Sequence, residues 1–172
     1  MTIIEDTGQQ AGQHENIRAY CEQHGIILRR QKLNVGDYII APRVSVDTKN
    51  GMEEVYNNLV QDHDRFRREC IRAQEDGTRL IILIENSDGF RSLDDVLLWR
   101  NPRVDKYYEK YAFALAAHKH GKSDIRIPKP PMDNKRLVRI METMHDRYGV
   151  EWMFCSTAET GAKIVEVLTN ER

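Results

Sequence analysis

The chain has little of several features that mark special classes of protein. Its 172 residues include 3 cysteines and 5 prolines. The cysteines lie far apart and form neither a disulfide framework nor a paired zinc spacing. No apolar run is long enough to cross a membrane, and the N-terminus lacks a signal-peptide pattern. We therefore expect an intracellular, cytoplasmic protein with no membrane partner.

The chain also lacks an excess of charge of either sign. It has 26 Lys and Arg against 27 Asp and Glu, with a formal net charge of −1. No overall basic charge therefore indicates nucleic acid, and such a partner would need a local basic patch. The length fits one domain, and a hydrophobic content of 40% is typical of a globular chain.

Hydrophobic periodicity predicts the order strand, helix, three strands, helix, strand, helices, strand, helix. Leu80–Glu85 (LIILIE) is a continuous apolar run, typical of a strand that is buried on both faces. A single long amphipathic helix is predicted from Met52 to about Gln74. The order indicates an α/β fold, in which a mixed central β-sheet is flanked by helices on both faces.

The stretch Val35–Glu53 (VGDYIIAPRVSVDTKNGME) predicts two short strands followed by a helix. If residues 41–43 form a three-residue hairpin loop, Asp37 lies directly opposite Asp47. Partners on one face are about 5 Å apart, and like charges placed so destabilise a sheet. Lys49 lies two residues further along the same face. This arrangement suggests a site for a hard divalent cation, while a solvated hairpin face is the alternative.

The same stretch resembles the signature of the XPF-type nuclease domain, a family of the PD-(D/E)xK nuclease superfamily. The family pattern is Gly-Asp, a spacer, Glu-Arg-Lys, three residues and an acid. The corresponding residues here are Gly36-Asp37, then nine residues, Asp47-Thr48-Lys49, three residues and Glu53. Asp47 thus replaces the glutamate of the family pattern, and Thr48 replaces the arginine.

Other parts of the chain extend this resemblance. The family has an early strand ending in Asp-x-Arg-Glu, of which Asp6 alone is present here. It also has an Arg and a Gln about a turn apart on the helix after the motif, where Arg65 fits and Glu69 stands at the Gln position. The likeness covers residues 1–86 and 150–168. Stand-alone domains of this kind are similar to proteins carried by bacteriophages and prophages.

The resemblance implies a restriction-endonuclease-like fold and a single nuclease domain over residues 1–172. Its core would be 1–86 and 150–170, with a helical insert at about 90–148. It implies a bacterial or phage-encoded endonuclease that uses Mg²⁺ or Mn²⁺, without a small-molecule cofactor, to hydrolyse DNA. The substrate would be branched or junction DNA, in DNA repair, recombination or phage DNA processing, and a homodimer is left open. The altered motif positions keep a second interpretation open, a catalytically degenerate DNA-binding or scaffolding module that partners an active nuclease.

The resemblance also assigns roles to individual residues. The expected catalytic residues are Asp37, Asp47, Lys49 and Glu53. The expected metal ligands are Asp37, Asp47, the Thr48 carbonyl and Asp6. The expected DNA-binding residues are Arg65, Arg68, Glu69 and Arg72. Asp6 could instead cap a loop, Glu53 could simply suit the positive end of a helix, and the arginines could form a solvated helix face.

A second basic stretch, Lys106–Tyr111, interleaves lysines with tyrosines. Such side chains could stack on unpaired bases. Tyr107 and Tyr111 are at helical spacing, which favours packing in a core or a dimer for these two. The sequence leaves the role of this stretch open.

Overall fold

The structure is a computed structural model, and it describes residues 1–9, 15–40, 43–122 and 124–170. The strands are β1 (Thr2–Asp6), β2 (Ile27–Gln31), β3 (Tyr38–Ile39), β4 (Val44–Asn50), β5 (Arg79–Glu85) and β6 (Glu151–Cys155). The helices are α1 (Glu15–Gln23), α2 (Met52–Tyr56), α3 (His63–Glu75), α4 (Pro102–Lys119), α5 (Asn134–Tyr148) and α6 (Thr160–Thr169). A π-helical turn spans Asn57–Gln61 and a 3₁₀ turn spans Asp94–Leu98.

The six strands form one mixed sheet in the order β2-β1-β3-β4-β5-β6. The pairs β1–β2, β4–β5 and β5–β6 are parallel, whereas β3 is antiparallel to both β1 and β4. Five strands therefore run in one direction. Their C-terminal ends meet along one edge of the sheet, together with the start of β3. The predicted mixed α/β architecture is confirmed.

Two hydrophobic cores lie on opposite faces of this sheet. Leu80, Ile82 and Ile84 of β5 pack into the core formed with α2, α3 and α5. Ile81 and Leu83 pack into the core formed with α1 and α6. The prediction of a strand buried on both faces is confirmed. Since α5 belongs to the first core, the core extends into the segment that was expected to be a helical insert. Within the described ranges, each helix is too short or too polar to span a membrane.

The predicted register of the β3–β4 hairpin is confirmed. Tyr38 pairs with Val46 and Ile39 pairs with Ser45, while loop residues 41 and 42 lie outside the described ranges. Gly36, just before β3, has a φ of +68°, and a Cβ there would lie 2.2 Å from the Ser45 side-chain oxygen. Glycine is therefore needed in the turn that leads into Asp37.

The single helix predicted over residues 52–74 is wrong in one respect. The chain forms α2, then the π-helical turn, and then α3 after a break at Asp62. The Asp62 N–H donates to the Asn57 carbonyl, five residues back, at 2.9 Å. The Asn58 side chain donates to the Glu54 carbonyl at 2.8 Å. Side-chain bonds of this kind compete with regular helix bonds, and π-turns are frequent at functional sites.

Candidate functional site

A polar cleft of about 760 Å³ lies at the edge where the strand ends meet. Five residues singled out from the sequence line it: Asp37, Asp47, Thr48, Lys49 and Arg65. The site therefore draws on the start of β3, the end of β4 and the first turn of α3. This is the edge at which open α/β sheets usually bind their ligands.

Asp47 and Lys49 form a buried ion pair at the bottom of the cleft. They are 4% and 7% exposed. The Lys49 Nζ donates to Asp47 Oδ1 at 2.8 Å and lies 2.6 Å from Oδ2. The contact with Oδ2 lacks hydrogen-bond geometry, so among the described residues this oxygen receives no hydrogen bond.

The electrostatics of this pair follow from its burial. Burial raises the pKa of the Asp47 carboxyl well above its usual range; Lys49 opposes the shift, and the charges of Asp37 and Glu69 add to it. Burial alone would lower the pKa of Lys49, but the neighbouring carboxylate of Asp47 outweighs it and raises that pKa. A further cation beside Asp47 would favour its ionised form.

Asp37 is half-buried beside this pair. Its Oδ2 accepts hydrogen bonds from the Thr48 N–H at 2.8 Å and from the Thr48 hydroxyl at 2.7 Å. Thr48 thus fixes the orientation of Asp37 with its N–H and its side chain. The role of the Thr48 carbonyl as a metal ligand stays a prediction.

Two of the residues predicted to contact DNA form hydrogen bonds with the turn that carries Asp37. The Gly36 N–H donates to Glu69 Oε1 at 3.1 Å, and Arg72 Nε donates to the carbonyl of Asn34 at 3.2 Å. Arg65 lines the cleft and donates to Asn58 Oδ1 at 3.3 Å, whereas Arg68 is exposed and does not line it. DNA contact by these four residues stays a prediction, and the cleft favours Arg65.

The two glutamates at the start of α2 point to different places. Glu53, the predicted catalytic residue, pairs with Arg103 at 3.1 Å and does not line the cleft. Glu54 lines the cleft, with an oxygen 3.8 Å from Lys49 Nζ, and accepts a hydrogen bond from the Asn50 N–H at 2.8 Å. Because an α-helix turns about 100° per residue, these two neighbours face different ways. The catalytic role of Glu53 stays a prediction.

Glu85 is a further cleft residue that the sequence reasoning missed. It ends β5 and lies beside Asn50 in the parallel register with β4. The signal was present, because an acid closes the apolar run LIILIE and parallel strands end at the same edge. Without the strand order, that signal could not be connected to Asp47.

Asp6 makes the contacts expected of a loop-capping residue. Its carboxylate accepts from the N–H groups of Gly8 at 2.9 Å and Leu33 at 2.7 Å, and from Lys32 Nζ at 3.1 Å. Burial alone would raise the pKa of Asp6, but these donors together lower it. The hydrogen bonds of Asp6 are those of a capping residue. Its role as a metal ligand stays a prediction.

The donor set fits a divalent cation held by two carboxylates. Mg²⁺ is commonly bound by one or two carboxylates, and water and substrate phosphate complete its shell. Asp37 and Asp47 line one cleft, and Asp47 Oδ2 has no hydrogen-bond donor in the described part of the chain. The same residues contain no cluster of three or more His, Cys, Asp or Glu suited to a metal. We therefore infer that protein side chains supply only part of the ligands of the metal.

Comparison with known proteins identifies relatives of this chain. The family model of the ERCC4 domain matches residues 6–168. A similar solved structure is XPF from Aeropyrum pernix, with a TM-score of 0.61 and 14% identity, over 99% of this chain and 66% of that one. A second is XPF from Aeropyrum pernix in complex with DNA, with a TM-score of 0.58 and 14% identity, over 97% and 62%. A search of curated proteins finds no match.

The structural likeness shows the fold, which is restriction-endonuclease-like, as the sequence resemblance implied. This chain spans about two thirds of the length of the XPF chains that it resembles. The family model extends from the last residue of β1 into α6 and includes every residue of the cleft motif. With this match over nearly its whole length, the chain belongs to the ERCC4 domain family.

Proposed function

We propose that this nuclease-type domain is a metal-dependent endonuclease that hydrolyses DNA phosphodiester bonds. The observation that carries the proposal is the presence of Asp37, Asp47 and Lys49 in one cleft, with Asp47 buried. Holding like charges together disfavours folding, which indicates a use other than stability. The membership in the ERCC4 family and the solved complex of XPF from Aeropyrum pernix with DNA support DNA as the ligand.

In this proposal Asp37 and Asp47 hold the cation. When bound, Mg²⁺ or Mn²⁺ polarises a phosphoryl oxygen and lowers the pKa of a bound water. Lys49, fixed by its contact with Asp47, orients the attacking water or stabilises the negative charge that develops on the phosphate. Arg65, at the side of the cleft, binds a neighbouring phosphate of the strand.

We further propose that the substrate is branched or junction DNA, processed in repair, recombination or phage DNA metabolism. The support is the resemblance of the motif to XPF-type nucleases. We include a homodimer in the same proposal. The substrate and the oligomeric state are properties of a whole protein, and the XPF chains in the comparison are longer than this chain.

One observation favours a second candidate function, a degenerate DNA-binding or scaffolding module that partners an active nuclease. Both carboxylates have partners within the protein: Asp37 accepts two hydrogen bonds from Thr48, and Asp47 is paired with Lys49. A site whose carboxylates have such partners can persist as structure after catalysis is lost. Thr48 and Asp47 are also the positions at which the motif departs from the family pattern.

A cleavage panel separates the two functions. The substrates are labelled flaps, forks, four-way junctions and plain duplex, each with Mg²⁺, with Mn²⁺ and with EDTA. We expect cutting of the branched substrates with metal and none with EDTA. Salt-dependent binding without metal-dependent cutting on any substrate would support the degenerate module. The absence of both binding and cutting would contradict both proposals.

The adjacent pair Glu54 and Glu53 offers a matched control. Glu54→Gln removes a carboxylate from the cleft, and we expect cleavage to fall by about tenfold, as for residues that orient a metal site. Glu53→Gln is the same chemical change outside the cleft and should leave cleavage near that of the wild type. Equal losses would restore the catalytic role that the sequence motif predicts for Glu53.

A further inference from the structure

Helix α4 leaves most of its surface uncovered. Within this fully described helix of 18 residues, only Ala114 and Ala117 are buried. Tyr108 and Phe113 are 62% and 66% exposed. Aromatic side chains bury large areas when they pack, and exposed groups of them mark interaction sites. The exposed side of this helix therefore has no covering element among the described residues.

The same part of the chain is basic. Residues 102–136 contain nine Lys and Arg and four Asp and Glu, in a chain whose net charge is −1. Lys106, Lys110 and Phe113 follow one another at spacings of four and three, which places them on one face of the helix. Within the described ranges, neither lysine forms an ion pair. Like charges four residues apart destabilise a helix, and a bound anion would relieve that repulsion.

The start of α4 is fixed beside the candidate site. Arg103 donates to Glu53 Oε1 at 3.1 Å and to Asn57 Oδ1 at 2.7 Å, and its guanidinium lies 4.6 Å from the centre of the Tyr56 ring. These contacts hold α4 against α2, the helix from which Glu54 enters the cleft. A helix rises about 1.5 Å per residue, so Lys106 to Phe113 lie roughly 5–15 Å along α4 from this anchor.

We propose that the exposed surface of α4 formed by Lys106, Lys110 and Phe113, the α4 surface, binds single-stranded nucleic acid. The lysines contact phosphates, and the Phe113 ring stacks on an unpaired base. This inference rests on the proposed function only in taking a nucleic acid as the ligand. It requires neither the two carboxylates of the cleft nor a metal.

A second copy of this chain is the main rival occupant. Val104, Tyr108, Tyr111 and Leu115 are spaced by four, three and four residues, as in a helix-pairing seam. At about 100° per residue, this seam lies on the side of α4 opposite Lys106, Lys110 and Phe113. A second copy on the seam would leave the α4 surface uncovered, whereas a polyanion complements the charge of its lysines.

Binding of labelled oligothymidine to the full chain, measured by fluorescence anisotropy in EDTA over a range of salt concentrations, tests this inference. Phe113→Ala should weaken binding by about tenfold, the loss of one stacked base. Tyr108→Ala removes a similarly exposed ring on the opposite side of α4 and should bind like the wild type. The double variant Lys106→Ala/Lys110→Ala should reduce the slope of log affinity against log salt by about 1.4, that is, about 0.7 per phosphate contact. Leu115→Ala, 38% exposed on the same helix, is the matched apolar control and should bind like the wild type.

Unchanged oligothymidine affinity in Phe113→Ala would overturn the proposal. So would a dimer, detected by light scattering, that Tyr108→Ala and Leu115→Ala dissociate while Phe113→Ala still binds normally. Asp47→Asn separates this inference from the proposed function. Retained oligothymidine binding in that variant, whether or not the wild type cleaves, supports the α4 surface alone, whereas parallel loss of binding would place the contact in the cleft.

Discussion

Asp47 and Glu5 are both buried carboxylates of the central sheet, but the charges around them differ. Glu5 is fully buried and contacts two cations, Arg30 at 3.3 Å and Arg18 at 3.4 Å, while the Tyr38 hydroxyl donates to it at 3.4 Å. Among the described residues, Asp47 has one cationic partner, Lys49.

The neighbourhood of Asp47 is therefore short of positive charge. The nearby carboxylates of Asp37 and Glu69 act with burial to raise its pKa, and one of its oxygens receives no hydrogen bond within the described chain. Glu5 and its two arginine partners form an ion cluster that stabilises the sheet. In our proposal, Asp47 belongs to a site that becomes electrically balanced when a divalent cation binds. Burial of a charged side chain does not by itself identify a functional residue. A local excess of negative charge over positive charge does indicate one.

The largest expected difference between the two sites is in catalysis. Asp47→Asn and Lys49→Ala should each reduce metal-dependent DNA cleavage by at least about 100-fold, since both act on the reacting phosphate, and DNA binding should persist. Glu5→Gln, assayed below its melting temperature, should cleave at a rate near that of the wild type. Cleavage by Asp47→Asn at the wild-type rate would exclude the cleft as the active site.

The second expected effect is on stability in the presence of metal. Mn²⁺ at about 100 times its dissociation constant should raise the free energy of unfolding by about 2.7 kcal/mol, which corresponds to a melting shift of about 5–10 °C for a domain of this size. Asp37→Asn should abolish most of this shift. In EDTA the variant should be slightly more stable than the wild type, because an Asn oxygen can still accept from Thr48 while the repulsion with Asp47 is lost. Thermal melts with a manganese titration measure both effects, and equal shifts in the two proteins would exclude Asp37 as a ligand.

Glu5→Gln should lower the stability of the protein without changing its response to metal. We expect a loss of about 1–2 kcal/mol in the free energy of unfolding, because two arginines lose their partner; their partial exposure reduces the cost below that of a fully buried pair. The metal-induced shift should be unchanged. Chemical denaturation with and without Mn²⁺ tests this. A metal shift that disappears in this variant would mean that the two sites are coupled.

The smallest expected effect is a pH dependence. The pKa of Asp47 is raised in the folded protein, so the native state binds more protons than the unfolded chain above the ordinary Asp pKa of about 3.9. Without metal, stability should therefore fall as the pH rises from about 4 through the raised pKa, by at most about 1.4 kcal/mol per pH unit. Asp47→Asn should lack this component. Denaturation of both proteins in EDTA from pH 4 to 8 gives the difference, and a constant difference would contradict the raised pKa.

The sequence predicted the features that depend on local pattern. Alternation and a short loop were sufficient to predict the pairing of Tyr38 with Val46, and with it the approach of Asp37 to Asp47. The run LIILIE correctly predicted a strand buried on both faces. Each of these depends on residues within about ten positions of one another.

The sequence could not predict what depends on the strand order or on side-chain direction. Glu85 joins the cleft because β5 lies beside β4, more than thirty residues earlier in the chain. Glu69 and Arg72 match an expected DNA-binding pattern, but their contacts are with the turn at residues 34–36. Glu53 and Glu54 have the same chemistry, so the direction in which α2 leaves β4 decides which of them faces the cleft.

The π-helical turn at Asn57–Gln61 has a consequence for how the site tolerates changes in chain length. Each residue advances a helix by 100°, so the extra residue in this turn sets the rotational phase of everything that follows in α3. Arg65 reaches the cleft, and Glu69 reaches the Gly36 N–H, in that phase. Deletion of a single residue from this turn would rotate both side chains together by more than a quarter of a circle, although neither would be mutated. The length of this turn therefore decides which side chains of α3 face the cleft and the Gly36 turn.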